Sequence, residues 1–494
     1  MLRGGRVVDP AAGTDRIGDL VLDRGVVVGL GAPVPPGAEV LDARRAIVCP
    51  GWVDSHTHVF GDIGLDDPDT AGVLAGVTTL VDAGSSGSLT LDELLGRSAR
   101  CRTDVYAIAY LDRRGIADTA TIPTRVADIP AVPVGELRRA VDRHGDRIVA
   151  VKTGVYADLG LAWPRLALAV ADLVGRPAYF HIGNFRTHRS ADPALMAAFL
   201  DLLRPGDVVT HCYTAQPGGL CDRDGRVLPS ALAAQARGVV FDVGHSGAGF
   251  DVEVARRLLD AGLRPATVSS DIAVINVRQR VRSLAHVLAK VWALGFALPD
   301  LLAMVTANPC RALGLPGGTF APGAPADVTV VDVVPGPVTF DDGPERRYQG
   351  PGAFRVRATV KGGRVVAPDP GAVLDPANIR FHLLEPPAAT RAGDGPGARL
   401  LERLAALLPD LPLDGEVVQA VVAHLAGRLG LAPERAGTVV RRAFADRASG
   451  NPPGWLLAEH AQRDGVDVVA ARLVAAAARA SAPPVALAEV GARP

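Results

Sequence analysis

Eight apolar runs of β type punctuate the chain: AIVCPGWVD (46–54), GVTTLVDA (76–83), DVYAIAYL (104–111), RIVAVKTG (147–154), PAYFHIG (177–183), DVVTHCY (207–213), GVVFDVG (238–244) and ATVSSDI (266–272). Between them lie segments that can form helices. A strand that is apolar along its whole length is buried on both faces, as in a parallel sheet covered by helices. Strands and helices alternating over about 250 residues predict an α/β chain built on a parallel (β/α)₈ barrel.

The barrel is expected to occupy residues 49–316. Before it, GGRVVD and GDLVLDRGVVVGLG read as short strands broken by Gly and Pro. After it, ADVTVVDV (326–333) and RVRATVKGGRVV (355–366) read the same way, with a turn at Gly362 and Gly363. Neither flank is long enough to fold alone. Residues 1–48 and 317–370 are therefore expected to pair into one small β-sandwich. A linker over 371–397 ends in GDGPG, and 398–494 turn to Ala/Leu/Arg-rich stretches with apolar residues spaced by three and four, the pattern of amphipathic helices. At 494 residues, one large domain with smaller companions is the natural expectation.

Charge excludes some functions. Fifty-two Lys and Arg face 53 Asp and Glu, without a basic run, so nothing draws nucleic acid or an anionic membrane. The N-terminus lacks the form of a signal peptide, and no apolar stretch of about 18 residues marks a membrane span. A soluble cytoplasmic protein acting on a small molecule is expected. The five cysteines (Cys49, Cys101, Cys212, Cys221, Cys310) are odd in number and lack CxxC spacing, which predicts reduced thiols.

The candidate chemistry sits at the strand ends. His56 and His58, two apart on the first strand, share a face and can chelate one ion. Lys152, His181, His211 and Asp271 end the fourth, fifth, sixth and eighth runs. All six would converge on the rim where barrels keep their active sites. A lysine at the end of a buried strand needs a partner or must be neutral. A structural salt bridge is one reading of Lys152. The other is that its neutral amine adds carbon dioxide, giving a carbamate whose two oxygens bridge two cations. Asp271 can coordinate an ion and accept a proton from a water acidified by the metals, or else cap the helix that follows.

The strings PGWVDSHTH, VKTG, HIGN, THCY, DVGHS, SSDI and VTANPCRALGL resemble the amidohydrolase superfamily over roughly residues 1–368. Within it, HCY followed by PGGLCDRDGRVLP, then VVFDVGHS and SSDI, is similar to the amidohydrolase/deacetylase family, often loosely labelled dihydroorotase. The resemblance implies that His56, His58 and Asp271 hold the more buried of two divalent ions and that His181 and His211 hold the more exposed one. Carboxylated Lys152 (N6-carboxylysine) would bridge both. Zinc is the ion implied. The implied activity is hydrolysis of an amide or ester, deacetylase-type, on an N-acyl amino acid or O-acyl hydroxy acid. A hydroxide bridging the two ions would attack the carbonyl, with Asp271 moving the proton.

A cyclic amidohydrolase of dihydroorotase or hydantoinase type is the alternative. Dihydroorotase resembles HxHxR after strand one, whereas this chain reads His56-Thr57-His58-Val59-Phe60. An apolar side chain cannot replace a bidentate clamp on a carboxylate, so dihydroorotate would need another arginine, with Arg186, Arg189 and Arg278 as candidates. Lys152 argues against a one-metal deaminase.

Loop position nominates Asn184, Arg186, Tyr213 and His245 as substrate contacts, with Thr214, Ser246 and Ser85 to Gly87 beside them. For His245, a hydrogen bond to a neighbouring backbone carbonyl is the competing role. The helical tail has no counterpart in the resemblance; a module for homo-oligomer assembly or a lid are its two readings. A barrel turned scaffold, assembling through that tail, is the non-enzymatic alternative, and retention of all six ligand-type residues weighs against it.

Overall fold

The computed structural model describes residues 1–374 except 62, 117–124, 133, 184–189, 278–279 and 342–346, and residues 396–481 except 409–414, 430, 432–435, 437–438, 441–442 and 444–452. The chain divides into two compact units, Met1–His382 and Leu383–Pro494.

The first unit opens with β1 (Leu2–Asp9), β2 (Thr14–Asp23), β3 (Val26–Leu30), β4 (Leu41–Asp42) and β5 (Ile47–Pro50). The barrel strands follow: β6 (Trp52–Thr57), β7 (Val77–Ala83), β8 (Asp104–Tyr110), β9 (Ile148–Gly154), β10 (Ala178–His181), β11 (Val208–Thr210) and β12 (Val240–Asp242). The unit ends with β13 (Val328–Asp341), β14 (Arg347–Lys361) and β15 (Arg364–Val366).

Strands β6 to β12 form a seven-stranded parallel sheet in sequence order. β6, β7 and β9 are buried at every residue, as their unbroken apolar character requires. The eighth run, 266–272, closes the circle with two isolated parallel bridges, Thr267 to Asp242 and Ile272 to Thr57. Its amides are pulled irregularly to both neighbours: Ala266 N–H donates to the Phe241 carbonyl and Asp271 N–H to that of His56. Helices such as Ala162–Val174, Pro193–Leu202 and Val252–Asp260 cover the outside. The last two begin at Asp192 and Asp251, whose carboxylates accept the first free amides.

The two flanks pair into one eight-stranded mixed sheet, β15-β14-β13-β5-β1-β2-β3 with β4 on β1. Its core draws from both ends of the sequence: Leu2, Val7, Leu20 and Val48 pack with Val328, Val330, Ala358 and Val360. The first apolar run serves both sheets. Ile47–Pro50 pairs with β13, and after Gly51 the chain enters the barrel at Trp52. The β13–β14 hairpin is longer than its two apolar runs, because the Pro- and Gly-containing stretches 334–341 and 347–354 continue the ladder. Thr329 joins the sheets, accepting from Trp52 N–H and donating to the Gly76 carbonyl.

In the second unit, helices Pro396–Leu407, Gly415–Arg428, Pro453–Asp464 and Val466–Ser481 bury Leu404, Val421, Leu425, Leu457, Val469 and Leu473. The first packs on the fourth, and the second on the third. Among the described residues no helix is long and apolar enough to cross a membrane.

Candidate metal centre

His56 lies in the last turn of the pleat of β6, and His58 follows two residues on, so both rings leave the same face. Each presents Nε2 to one oxygen of Asp271: Oδ1 lies 3.2 Å from His56 and 3.1 Å from His58. Lys152 of β9 brings Nζ to 2.8 Å from His56 Nε2. His211, after β11, places its ring 5.1 Å from that of His56 and its Nε2 3.9 Å from Asp271 Oδ2. His181, closing β10, stands edge-on to His211 at 4.5 Å between centroids. Side chains from four strand ends and the eighth run thus meet in one place.

Asp271 Oδ1 is buried and has no hydrogen-bond partner among the described residues. An orphaned carboxylate oxygen facing two imidazole nitrogens is what a divalent cation would satisfy. His56, His58 and Asp271 offer ligand atoms that all lie within 4.8 Å of one another. The far nitrogens are engaged elsewhere: His56 Nδ1 with Thr210 Oγ1 at 2.9 Å, His58 Nδ1 with Ser85 Oγ at 2.7 Å, and His211 Nδ1 donating to the Gly244 carbonyl at 2.6 Å. Such partners orient ligand rings and leave Nε2 for the ion. The donor set fits divalent metal.

Burial and the neighbouring charges act on His56, Lys152, His181, His211 and Asp271. Desolvation, then Lys152, holds His56 well below the ordinary imidazole range; His181 is lowered by desolvation and His211, and His211 itself chiefly by desolvation. Burial pushes the Asp271 carboxyl up, yet His56, His58 and His211 together hold it well below the usual carboxylate value. Desolvation brings the Lys152 ammonium down to about 8, against the pull of Asp271. Neutral amine is therefore accessible near neutrality, and that is the form able to add carbon dioxide.

The backbone is strained at two of the candidate ligands. His211 and Asp271 have φ of 65° and 50°, in the left-handed region. Non-glycine residues held there cost about 1–3 kcal/mol each and cluster at functional sites. Gly244, at φ +47°, makes room for this: a Cβ there would lie 2.1 Å from Thr210 Oγ1 and 2.9 Å from His211 Nδ1.

Of the nominated substrate contacts, Asn184 and Arg186 lie outside the described residues, as do Arg189 and Arg278. Tyr213 is buried against Phe250, and its hydroxyl has no hydrogen-bond partner among the described residues. His245 stands apart from the six. Its Nδ1 donates to the Ser246 carbonyl at 2.8 Å, its ring stacks on Phe250, and its Nε2 faces Lys290 Nζ at 3.3 Å.

Sequence reasoning missed the buried acids behind the ligands. Asp82 accepts from the amides of Val59 and Ser85, and so fixes the loop that holds His58. Asp54 accepts from Ser270 N–H and Oγ, beside Asp271; burial pushes its carboxyl up to about 7. Asp242 accepts four hydroxyls. Each ends or interrupts an apolar strand, and a carboxylate in that position was the available signal.

Residues 232–366 match the Amidohydrolase family. A deacetylase of Enterococcus faecalis is 29% identical over 328 residues, covering 64% of this chain and 86% of that protein. A crystal structure of a dihydroorotase superposes with a TM-score of 0.64 at 26% identity, over 74% of this chain and 99% of that chain. These likenesses support a member of the amidohydrolase superfamily. A crystal structure of an adenine deaminase is similar in the same way, with a TM-score of 0.66 at 26% identity over 74% of this chain and 98% of that chain. Metal dependence is general in that superfamily, and His56, His58 and Asp271 form a candidate ligand group here.

Proposed function

We propose that the protein is a binuclear metal-dependent hydrolase that removes an acyl group from an N-acyl amino acid or an O-acyl hydroxy acid. The observation that carries this is the meeting of His56, His58, Lys152, His181, His211 and Asp271, with Asp271 Oδ1 unsatisfied between two imidazoles. Its likeness to deacetylases of Enterococcus faecalis and Agrobacterium fabrum supports the acyl substrate.

His56, His58 and Asp271 would hold one ion, His181 and His211 a second, and Lys152, carboxylated by carbon dioxide, would serve both. Zinc is the expected metal. When bound, the ions supply a polarised acyl carbonyl and a water acid enough to attack it. The remaining work belongs to the chain. Asp271, kept ionised by the three imidazoles, takes the proton of the attacking water and returns it to the leaving nitrogen or oxygen. Its burial and that of its neighbours excludes competing solvent.

Cyclic amide hydrolysis is the second reading, favoured by the likeness to a dihydroorotase structure. Against it stands Phe60, two residues after His58 and buried beneath the Arg97 guanidinium, where a carboxylate clamp would be needed. The adenine deaminase likeness carries no matching substrate observation. We also propose a cytoplasmic setting, which the five free cysteines suit, and homo-oligomer assembly through the helical unit. Light scattering on the full chain checks the latter, and a monomer sinks it.

The test of activity is release of acid from N-acetyl amino acids, O-acetyl hydroxy acids and cyclic amides, using zinc-loaded protein with bicarbonate. Turnover of an acyclic acetyl compound is expected. Turnover of a ring alone would move the assignment to cyclic amides. Lys152→Ala should abolish activity and lower metal content, and an unchanged metal stoichiometry would sink the bridging role of Lys152.

A further inference from the structure

The protons around His56 Nδ1 can be placed one by one. Asp242, at the end of β12 and fully buried, accepts at Oδ2 from Tyr179 Oη (3.1 Å), Thr210 Oγ1 (2.7 Å) and Ser269 Oγ (2.6 Å), and at Oδ1 from Thr267 Oγ1 (2.6 Å). An ionised carboxylate has no proton, so in each of these contacts the hydroxyl is the donor; the two short ones, from Thr210 and Ser269, take the two lone-pair sites of Oδ2 and the longer one, from Tyr179, shares them. A hydroxyl has one proton to give. Thr210 Oγ1 and Tyr179 Oη are also the groups beside His56 Nδ1, at 2.9 and 3.4 Å. Having donated to Asp242, both can only accept from the ring. Nδ1 must then carry the hydrogen, which leaves the lone pair on Nε2.

The other side of the ring agrees. His56 Nε2 lies 2.8 Å from Lys152 Nζ, a donor, which suits a nitrogen without a proton. Asp271 Oδ1, 3.2 Å from the same nitrogen, is then an acceptor facing an acceptor, a pair that a cation and not a proton would join.

We propose that Asp242 is a positioning residue which, through Thr210 and Tyr179, locks His56 in its Nδ1–H tautomer and so presents Nε2 to a divalent cation. The proposal rests on the reading of the six residues as a metal centre. His211 reaches the same tautomer differently, since its Nδ1 partner is the Gly244 carbonyl, which no side-chain substitution can reverse. His56 alone of these two depends on a distant carboxylate. An asparagine at 242 would bring its own two N–H donors, so at least one hydroxyl must turn its proton away. Thr210 would turn it onto His56 Nδ1, driving the ring to Nε2–H and occupying the lone pair an ion needs.

The experiment uses the full-length, chelator-treated chain with ¹⁵N-labelled histidine, the His56 signal being assigned by its loss in His56→Ala. Zinc affinity is measured in parallel by competition with a chelator. Asp242→Asn should move His56 from Nδ1–H to Nε2–H and weaken zinc binding about 10–100-fold, the usual effect of losing an outer-shell partner. An unchanged tautomer with unchanged affinity overturns the proposal. Should Asp242→Asn fail to fold, Thr210→Val and Thr210→Ser decide: serine keeps the relay hydroxyl, so it should bind zinc about tenfold more tightly than valine. Equal affinities overturn the relay. If His56→Ala binds zinc as the unsubstituted chain does, the metal-centre reading itself fails, a result separate from either outcome at 242 or 210.

Discussion

The mixed sheet and the barrel rim are equally buried, yet they are built on opposite terms. In the sheet, Leu20, Val48, Val328 and Val330 bury apolar surface and nothing else. At the rim, His56, His58, His211, Lys152 and Asp54, Asp82, Asp242 and Asp271 are enclosed, two of the ligand-type residues have left-handed backbones, and one carboxylate oxygen has no hydrogen-bond partner among the described residues. The sheet thus supplies stability, whereas the rim consumes some of it to hold groups in place.

Asp271→Ala should give the largest effect: hydrolysis falls below detection while the Tm of the metal-free chain stays level, because the buried carboxylate goes, its Oδ1 having no hydrogen-bond partner among the described residues, while the left-handed backbone remains. A drop in Tm as large as that of a core truncation would show that the rim is structural after all. Leu20→Ala is that truncation. It should cost about 2–5 kcal/mol, seen as a lower denaturation midpoint, with kcat/KM unchanged below the transition; lost turnover in folded protein would erase the contrast between the regions.

Much of this division was legible in the residues. Strands β6 to β12 were visible as apolar runs, and His56, His58, Lys152, His181, His211 and Asp271 stood out because polar side chains interrupt or close those runs. The seam at Gly51 was not, since AIVCPGWVD is apolar throughout and only pairing partners separate its halves. The long β13–β14 hairpin was hidden by the Pro and Gly of VPGPVTFD and RYQGPGAF, which argue against a strand although Phe340, Tyr348 and Phe354 are buried there. Thr210, Thr267 and Ser269 carry no periodic signature either. Hydroxyls suit strands on their own account, and their convergence on Asp242 exists only once three separate runs are side by side.

A smaller effect tests the rim's geometry without touching a ligand. Gly244→Ala must push against Thr210 Oγ1 and His211 Nδ1 from a left-handed φ. Zinc affinity is expected to fall about tenfold, as for other disturbed outer-shell contacts, measured by chelator competition. Wild-type affinity would mean that the loop relaxes freely and the cradle is not specific.

The join between sheet and barrel gives the smallest effect and a distinct pH signature. Lys361 Nζ donates to Asp104 of β8 and to Asp327, both at 2.6 Å. Burial lowers its ammonium pKa, but Asp327 and Asp104 together raise it above the ordinary lysine value. A folded-state pKa above the unfolded one stabilises the fold fully below the unfolded value, and that contribution is lost as pH rises through the folded value. Asp104 is 42% exposed, so solvent screens part of the interaction, and Lys361→Met should cost about 1 kcal/mol near neutrality. Melting curves of both chains should draw together as pH climbs past the lysine range, because the unsubstituted chain then loses its charge as well. A gap that persists unchanged in alkali would mean the lysine acts through its methylene packing, and the seam would then belong with the apolar sheet and not with the charged rim.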